Sequence, residues 1–304
     1  MRRFILRRLL VSLLVILTVS VVGFSLLRLS GNLAAVLAGE GATPADIAKV
    51  AHEYGLDQPL YLQYVDWVLG LLRGDLGKSL FSGDSVAHLI ATRIGVTLTL
   101  ATFSLVLGLV IAIPLGVVAA TRPNSWLDRG ALMLAVFGQA IPGFWFGLIL
   151  IYVFGIMLKW LPISGADNWR EFVLPTIALG VSIMPSIMRL TRAGMIEVLS
   201  SDYIRAARAA GLAPLSILFK HALRNAILPV VSVAAVQFGL LLGGSVIIES
   251  VFAMNGIGLL AYQAIGNADF PVVQAILIFV SVGYVVLTFL AELINARLDP
   301  RIRL

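Results

Sequence analysis

Residues 94–120 read IGVTLTLATFSLVLGLVIAIPLGVVAA, 27 residues without a single Asp, Glu, Lys or Arg. At a rise of about 1.5 Å per residue, an α-helix of this length exceeds the roughly 30 Å hydrocarbon core of a bilayer. Five further stretches are equally free of these four residue types: 9–27, 130–158, 172–188, 226–248 and 272–291. Because each stretch is long enough to cross the bilayer, the shortest only just, the sequence predicts an all-α membrane protein with six transmembrane helices.

The composition excludes several other classes of protein. Hydrophobic residues make up 60% of the chain and charged residues only 12%, about half the charged share of a soluble domain. The apolar runs are also unlike the alternating segments of about 10 residues in an outer-membrane barrel. The chain has no Cys, so a disulfide, a thiolate metal site and a cysteine nucleophile are excluded. His52, His88 and His221 are not paired on one helix face, so no metal site is expected.

The charges between the apolar stretches predict an orientation in the membrane. If the N-terminus is cytoplasmic, segments 1–8, 121–129, 189–225 and 292–304 lie inside with a net charge of +10, and the outer segments carry −4. This pattern follows the positive-inside rule, so we expect both termini in the cytoplasm. We attribute the overall net charge of +6 to topology rather than to nucleic-acid binding. The first apolar run, with 19 residues, is longer than that of a signal peptide, and we expect an uncleaved anchor helix.

Residues 28–93 form the longest segment between apolar stretches. Aromatic and aliphatic residues recur there at helical spacing, and Pro59 suits a first helical turn. We therefore expect a small helical cap on the outer membrane surface after the first helix. Gly77-Lys78-Ser79 resembles the end of a phosphate-binding loop, but the first glycine of that motif is replaced by Leu72, so nucleotide binding is not expected.

The apolar stretches also bear on the energy source for transport. They contain no Asp, Glu, His, Lys or Arg, the residues that proton-coupled transporters use as relays within the bilayer. Sodium coordination by backbone carbonyls is still compatible with the sequence, so an ion-gradient-driven secondary transporter is an alternative. Prolines within these stretches indicate either ordinary kinked membrane helices or a moving, cavity-lining bundle: Pro114, Pro142, Pro175, Pro185 and Pro229.

The largest inner segment, residues 189–225, contains a predicted helix–turn–helix. Ser201 or Asp202 suits the N-cap of a short helix, Gly211 suits its left-handed C-terminal position, and Pro214 suits the start of a second helix. The first helix is rich in alanine, whose small side chain permits close approach of another backbone. A solvated amphipathic loop is the alternative interpretation of the same composition.

The order of residues in this segment resembles the permease subunits of ATP-binding-cassette (ABC) importers. Their signature is Glu-Ala-Ala, three residues, Gly, nine residues, and Ile-x-Leu-Pro. At the same spacing this chain has Arg205-Ala206-Ala207, then Gly211, then His221-Ala222-Leu223-Arg224. Arg205 replaces the acidic residue, and the proline comes five positions later, at Pro229. Both departures are typical of the dipeptide, oligopeptide and nickel permeases, which residues 202–211 resemble closely.

The resemblance to this branch extends over nearly the whole chain. Its motifs are Arg7-Arg8-Leu9, Gly55-Leu56-Asp57-Gln58-Pro59-Leu60, Gly74-Asp75-Leu76-Gly77-Lys78-Ser79, Pro114-Leu115-Gly116-Val117, Ile141-Pro142-Gly143-Phe144-Trp145, Leu161-Pro162, His221-Ala222-Leu223-Arg224-Asn225, Glu249-Ser250-Val251-Phe252, Gly256-Ile257-Gly258, Asp269-Phe270-Pro271-Val272-Val273-Gln274 and Asp299-Pro300-Arg301. The chain departs from the family at Ser30-Gly31-Asn32-Leu33, where Pro-Gly-Asp-Pro is common, and at Asn255, where a proline often precedes Gly256.

The resemblance implies a type I ABC importer permease fold with the helical cap after helix 1, as in the B-type subunit of dipeptide permeases. It divides the chain into an N-terminal helix and cap (1–93), a permease core with five transmembrane helices (94–293) and a cytoplasmic tail (294–304). The implied function is import across the bacterial inner membrane by alternating access. Di- and oligopeptides are the expected substrates, and nickel chelates, glutathione and opines are alternatives because their permeases share these motifs. The chain would not itself be an enzyme or hold a cofactor, because ATP and Mg²⁺ would be bound by partner subunits.

The resemblance also implies the partners and the site residues. The partners are a second homologous permease subunit, two cytoplasmic ATP-binding subunits or domains, an extracytoplasmic substrate-binding protein and the lipid bilayer. The implied ATPase-coupling loop comprises Asp202, Tyr203, Arg205, Ala206, Ala207, Gly211 and His221. The segment 249–271 is expected to form either a short gating helix that dips into the membrane or an amphipathic interfacial loop. The gate residues are Glu249, Phe252, Gly256, Gly258 and Asp269.

Overall fold

The computed structural model describes residues 2–31, 33–39 and 41–298. Asn32 and the motif Asp299-Pro300-Arg301 lie outside the described residues, as does the end of the tail predicted at 294–304. The α-helices are α1 Arg2–Ser30, α2 Leu33–Ala38, α3 Pro44–Glu53, α4 Leu60–Leu72, α5 Val86–Thr121, α6 Trp126–Ala140, α7 Gly143–Leu150, α8 Val173–Leu199, α9 Asp202–Ala209, α10 Pro214–Ser216, α11 Leu223–Ala226, α12 Leu228–Gly244, α13 Val246–Val251, α14 Ile257–Gly266 and α15 Phe270–Leu298.

Shorter elements complete the secondary structure. π-Helical turns occupy Ile151–Met157 and Ile217–Ala222, and a 3₁₀ turn, Trp169–Phe172, precedes α8. The only β-pairing in the described ranges is an isolated bridge between Lys78 and Ser85. The prediction of an all-α protein is therefore confirmed.

Four helical segments are long and apolar enough to cross a membrane: Leu6–Leu26, Val86–Thr121, Trp169–Leu199 and Phe270–Arg297. Two bent helix pairs provide one further span each if both arms are counted together: Trp126–Ala140 with Gly143–Met157, and Pro214–Ala226 with Leu228–Gly243. The described residues thus contain four spans, or up to six. The six transmembrane helices predicted from the sequence correspond to the upper count.

The stretch 130–158, expected to be one helix, is instead broken. α6 meets the helix formed by α7 and its π-helical continuation at 95°. The break lies at Ile141-Pro142, where Ile141 is extended with φ −86° and ψ 122°, the conformation that a following proline favours. α6 has 15 residues and so spans only about 22 Å, less than a hydrocarbon core. This element is a broken span or a re-entrant loop.

α5 and α8 form the centre of the core, and small residues let their backbones approach closely. A Cβ atom on Gly116 would lie 2.7 Å from the Cβ of Thr191 and 2.8 Å from the Met188 carbonyl oxygen. A Cβ atom on Gly180 would lie 3.0 Å from Leu107. Glycine at such positions is typical of membrane helix interfaces, where packing rather than hydrophobic transfer holds helices together.

α1 lies at the periphery and packs against α15. Gly23 faces the Leu277 side chain, and Arg8 forms an ion pair with Glu292. Much of the remaining surface of α1 consists of exposed apolar side chains suited to lipid contact: Leu9, Leu10, Leu13, Leu14, Leu17 and Leu26. Since Arg8 lies near the start of α1 and Glu292 near the end of α15, these two ends lie on the same side of the membrane.

The predicted cap, residues 28–93, contains α2, α3 and α4. α4 begins directly after Pro59, as expected, and α3 begins with a capping box between Thr43 and Asp46. α4 packs against α1 through Phe24, whose ring centroid lies 5.4 Å from that of Tyr64 and 5.5 Å from that of Trp67. These aromatic contacts fix the cap against the second half of the first span.

Candidate functional site

The inner loop, residues 202–226, has the predicted helix–turn–helix structure. α9 ends at Ala209, and Gly211 follows with φ +76°, the left-handed conformation expected for it. α10 begins at Pro214 and continues through the π-helical turn into α11. Ser201 occupies the N-cap position without capping, because its hydroxyl donates instead to the carbonyl of Val198 at 2.5 Å. Asp202 accepts a hydrogen bond from Arg205.

One face of α9 anchors the inner loop to the membrane domain. Ile204 is completely buried in a cluster with Met195, Ile217 and Ala222. Tyr203 connects α9 to the second helix of the loop, because its hydroxyl accepts a 2.8 Å hydrogen bond from Asn225 and donates a 3.4 Å one to the carbonyl of His221. His221 therefore contributes its backbone to this contact.

The other face of α9 is open. Arg205 and Ala206 are exposed, Ala207 is half-buried, and a Cβ atom on Gly211 would meet nothing within 4 Å. The predicted loop residues thus divide into two groups, with Tyr203 and His221 on the anchoring side and Arg205, Ala206 and Gly211 on the accessible side. A rigidly held element with small and basic residues exposed is suited to contact with another protein surface.

An ion pair that was not predicted braces the core near the inner loop. Arg192 donates two hydrogen bonds to Asp128, from Nε at 2.5 Å and from Nη2 at 2.6 Å. The backbone amide of Asn124 donates a third hydrogen bond to Asp128, at 2.8 Å. The Asp128 residue is only 1% exposed. The pair ties the start of α6 to the end of α8 that leads into α9. Both residues belong to segments predicted to face the cytoplasm. No other feature of the sequence indicates that they lie close together in the fold.

The outer hairpin, residues 246–269, is formed by α13 and α14 and contains a buried carboxylate. Glu249 is 0% exposed. Its Oε1 atom accepts hydrogen bonds from the hydroxyls of Thr97 at 2.8 Å and Ser245 at 2.7 Å, and its Oε2 atom accepts one from the Leu259 amide at 2.9 Å. Three donors therefore compensate the removal of this carboxylate from water.

The two predicted glycines of the hairpin are required by this close packing. A Cβ atom on Gly256 would lie 2.4 Å from Glu249 Oε2, and one on Gly258 would lie 2.8 Å from the Cα of Val246. Phe252 is also buried, with its ring against Gly147 of α7 and its carbonyl accepting a 3.1 Å hydrogen bond from the Gly165 amide. The part of the hairpin around Glu249 and Phe252 is thus packed into the core.

Asp269 lies at the other end of α14, away from the Glu249 group. It accepts hydrogen bonds from the Ser79 hydroxyl at 2.5 Å and from the Leu80 amide at 3.0 Å. The structure therefore groups three of the predicted gate residues, Glu249, Gly256 and Gly258. It packs Phe252 against α7, and Asp269 connects the hairpin with the loop after α4. Within the described part of the chain, no three His, Cys, Asp or Glu side chains are grouped closely enough to hold a metal ion.

Two family matches cover nearly the whole chain. Residues 112–304 match the family described as "Binding-protein-dependent transport system inner membrane component". Residues 1–101 match the family described as "Binding-prot-dependent transport system membrane comp, N-term".

Individual proteins are similar over the same extent. The chain is 40% identical to the "Probable peptide ABC transporter permease protein y4tP" of Sinorhizobium fredii, over 99% of both chains. It is 38% identical to the glutathione transport system permease protein GsiC of Escherichia coli K12, over 100% of this chain and 99% of that protein. An inward-facing structure of the MetNI methionine ABC transporter matches with a TM-score of 0.56 and 24% identity over 69% of this chain and 96% of the other, a likeness of fold.

Proposed function

We propose the following role for this chain, which belongs to the family of binding-protein-dependent transport system inner membrane components. The chain is a multi-pass inner-membrane permease subunit of an ABC importer. The substrates that we propose are di- and oligopeptides. The y4tP relative is named as a peptide permease, and GsiC as a permease for glutathione, which is itself a short peptide. The family relationship gives no support to an ion-gradient-driven secondary transporter.

The inner loop is the proposed point of contact with the cytoplasmic ATPases, which would bind ATP and Mg²⁺. The observation that carries this proposal is the left-handed turn at Gly211, next to an α9 surface on which Arg205 and Ala206 are exposed. Because Ile204 is buried in the membrane domain, displacement of α9 by an ATPase would be transmitted directly to α8 and the second helix of the loop. Such a displacement can switch a packed helix bundle between two discrete arrangements.

The outer hairpin is the proposed gate of the translocation path. A hydrogen bond holds Glu249 to α5, and packing holds Phe252 against α7. Because such contacts can break and re-form, the hairpin can move as a unit when α5 and α7 separate. Asp269 would transmit this movement to the loop after α4. The cap and this loop would face the extracytoplasmic substrate-binding protein.

The proposed orientation places both termini in the cytoplasm. The +10 charge of the inner segments supports this, and the Arg8–Glu292 ion pair supports a common side for both ends. The family relationship supports a chain that assembles with a second homologous permease subunit and two ATPase subunits or domains.

Reconstitution tests this proposal. Proteoliposomes would contain this chain, the second permease subunit and the ATPases, with the binding protein and a radiolabelled tripeptide supplied on the outer side. We expect uptake that requires enclosed ATP and is unaffected by ionophores that collapse proton and sodium gradients. Uptake by this chain alone, driven by an ion gradient in the absence of ATP, would contradict the proposal.

A further inference from the structure

The contact between α4 and α1 indicates where the membrane surface lies along α1. The Ser20 and Tyr64 hydroxyls lie 2.7 Å apart, and Trp67 packs on Phe24. Tyr and Trp are enriched where the hydrocarbon core meets the headgroups. The apolar segment of α1 ends close by, at Leu26. We therefore expect the residues that follow on α1 to lie at the level of the lipid headgroups.

A cavity of about 420 Å³ opens at this level, between the end of α1 and the cap. This volume is in the range of sites for small ligands, roughly 300–1,000 Å³. The α2 and α3 side of the cavity is apolar, with Ala34, Ile47 and Ala51 in its wall. The α1 and α4 side presents two polar residues, Arg28 and Gln63.

Each of these polar residues has a buried atom without a partner among the described residues. Arg28 Nε is an unused donor, and Gln63 Oε1 is an unused acceptor. The Gln63 amide cannot simply be reversed, because its Nε2 atom already donates to the carbonyls of Leu56 at 3.0 Å and Gln58 at 2.8 Å. Buried polar groups without partners are rare in folded proteins, and two in the wall of one cavity favour a ligand that supplies an acceptor and a donor once the two side chains turn towards it.

The electrostatics of Arg28 indicate the charge of that ligand. Burial lowers the pKa of its guanidinium, as expected for a cation removed from water. Its nearest compensating contact is the face of Phe24, 5.2 Å from Cζ to the ring centroid, and it makes no ion pair with a described residue. An anionic group is therefore the missing partner, and arginine is suited to bind a phosphate with paired hydrogen bonds.

We propose that this cavity binds the headgroup of a membrane phospholipid. The phosphate oxygens accept hydrogen bonds from Arg28, and the ammonium or hydroxyl group of the headgroup donates to Gln63 Oε1. The acyl chains lie along α1, where Leu26 and Val22 are exposed by 61% and 48%. The bound lipid would hold the cap at a fixed height on the membrane surface.

Native mass spectrometry of the whole transporter complex, purified in mild detergent, tests this assignment. We expect phospholipid retained by the wild type and its occupancy lowered about tenfold or more by Arg28→Gln, the effect of losing a charge-assisted hydrogen bond. Arg73→Gln, which changes an exposed arginine of the same cap, is the matched control and should retain the lipid. Equal occupancy in the wild type and in Arg28→Gln would overturn the proposal.

A second variant removes the dependence on Arg28. Ala51→Leu fills the cavity while both polar groups stay in place, and it should also lose the lipid; full retention would contradict the site. Thermal unfolding distinguishes the source of the phosphate. When short-chain phosphatidylglycerol is added to both complexes, it should raise the Tm of the wild type and leave the Tm of Arg28→Gln nearly unchanged. An equal rise with inorganic phosphate at the same concentration would overturn the assignment to lipid.

Discussion

The Thr97 hydroxyl donates a 2.8 Å hydrogen bond to Glu249 Oε1 and accepts a 2.8 Å hydrogen bond from the amide of Ile257. It thereby joins α5, α13 and the first turn of α14. The N-cap of α14 is Gly256, which has no side-chain oxygen for the free amides of that turn. Thr97 satisfies the amide of Ile257 and Glu249 that of Leu259, and a carboxylate is favoured at a helix N-terminus. The outer hairpin is thus fastened to the core around the turn between α13 and α14.

Glu249→Gln should loosen this attachment. A glutamine side chain accepts at only one of its two terminal atoms, so a buried donor loses its partner. We expect the free energy of unfolding to fall by about 1–3 kcal/mol, seen as a lower Tm of the purified complex. Glu53→Gln, at an exposed glutamate of α3, is the control and should leave Tm unchanged. An unchanged Tm in both variants would show that the Glu249 network contributes nothing to stability.

Arg192→Gln should be more damaging, because it leaves the buried Asp128 carboxylate without its ion-pair partner. We expect a loss of about 3–5 kcal/mol, in the range measured when one member of a buried pair is removed. Adding Asp128→Asn removes the unpaired charge and should restore part of this loss. A double-mutant cycle of thermal unfolding checks the prediction. Strict additivity of the two single changes would contradict a direct interaction.

Gly116→Ala tests the close approach of α5 and α8. The added methyl group would lie 2.7 Å from the Cβ of Thr191, and overpacking of this kind destabilises proteins by about 1–3 kcal/mol. Gly95→Ala in the same helix is a matched control, since nothing lies within 4 Å of the added atom. Alanine favours helix over glycine by up to about 1 kcal/mol, so the control should be neutral or slightly stabilising in thermal unfolding. Equal effects of the two substitutions would argue against the tight interface.

The cap contains a pH-dependent contact between His52 Nδ1 and Asp57 Oδ2, 2.9 Å apart. The hydrogen bond and the charge of Asp57 raise the pKa of His52 above its ordinary value of 6.5, and the same hydrogen bond lowers the pKa of Asp57. Because the folded His52 pKa is the higher one, the contact stabilises the cap fully below pH 6.5 while Asp57 is ionised. This contribution disappears as pH rises through the folded His52 pKa, and again as pH falls through the lowered Asp57 pKa.

NMR titration of His52 in the labelled complex measures this effect. Asp57→Asn should return the His52 pKa towards 6.5, because it removes the negative charge. A His52 pKa at or below 6.5 in the wild type would mean that the contact does not persist in the membrane.

The sequence predicts features that depend on local chemistry better than those that depend on distant neighbours. Gly211 is recognisable because a left-handed helix end requires glycine at one position. Pro142 breaks its stretch, whereas Pro114 and Pro185 lie inside continuous helices, because surrounding helices decide whether a bend is tolerated. Family likeness identifies Glu249 as a gate residue. Its partner Thr97 is 152 positions away in the sequence, so no local pattern indicates their contact.

Uptake and ATP hydrolysis by a Gly211→Val complex test the central claim, that the inner loop couples this chain to the ATPases. Valine at φ +76° strains the turn by at least about 1–2 kcal/mol and displaces the exposed end of α9. Gly74→Val, at φ +81° and also without neighbours within 4 Å, imposes the same backbone strain in the cap and is the control. We predict that Gly211→Val lowers Tm by no more than Gly74→Val does and retains ATP hydrolysis but loses most peptide uptake in proteoliposomes, whereas Gly74→Val retains both activities. Uptake by Gly211→Val at the wild-type rate would contradict the coupling role of the loop.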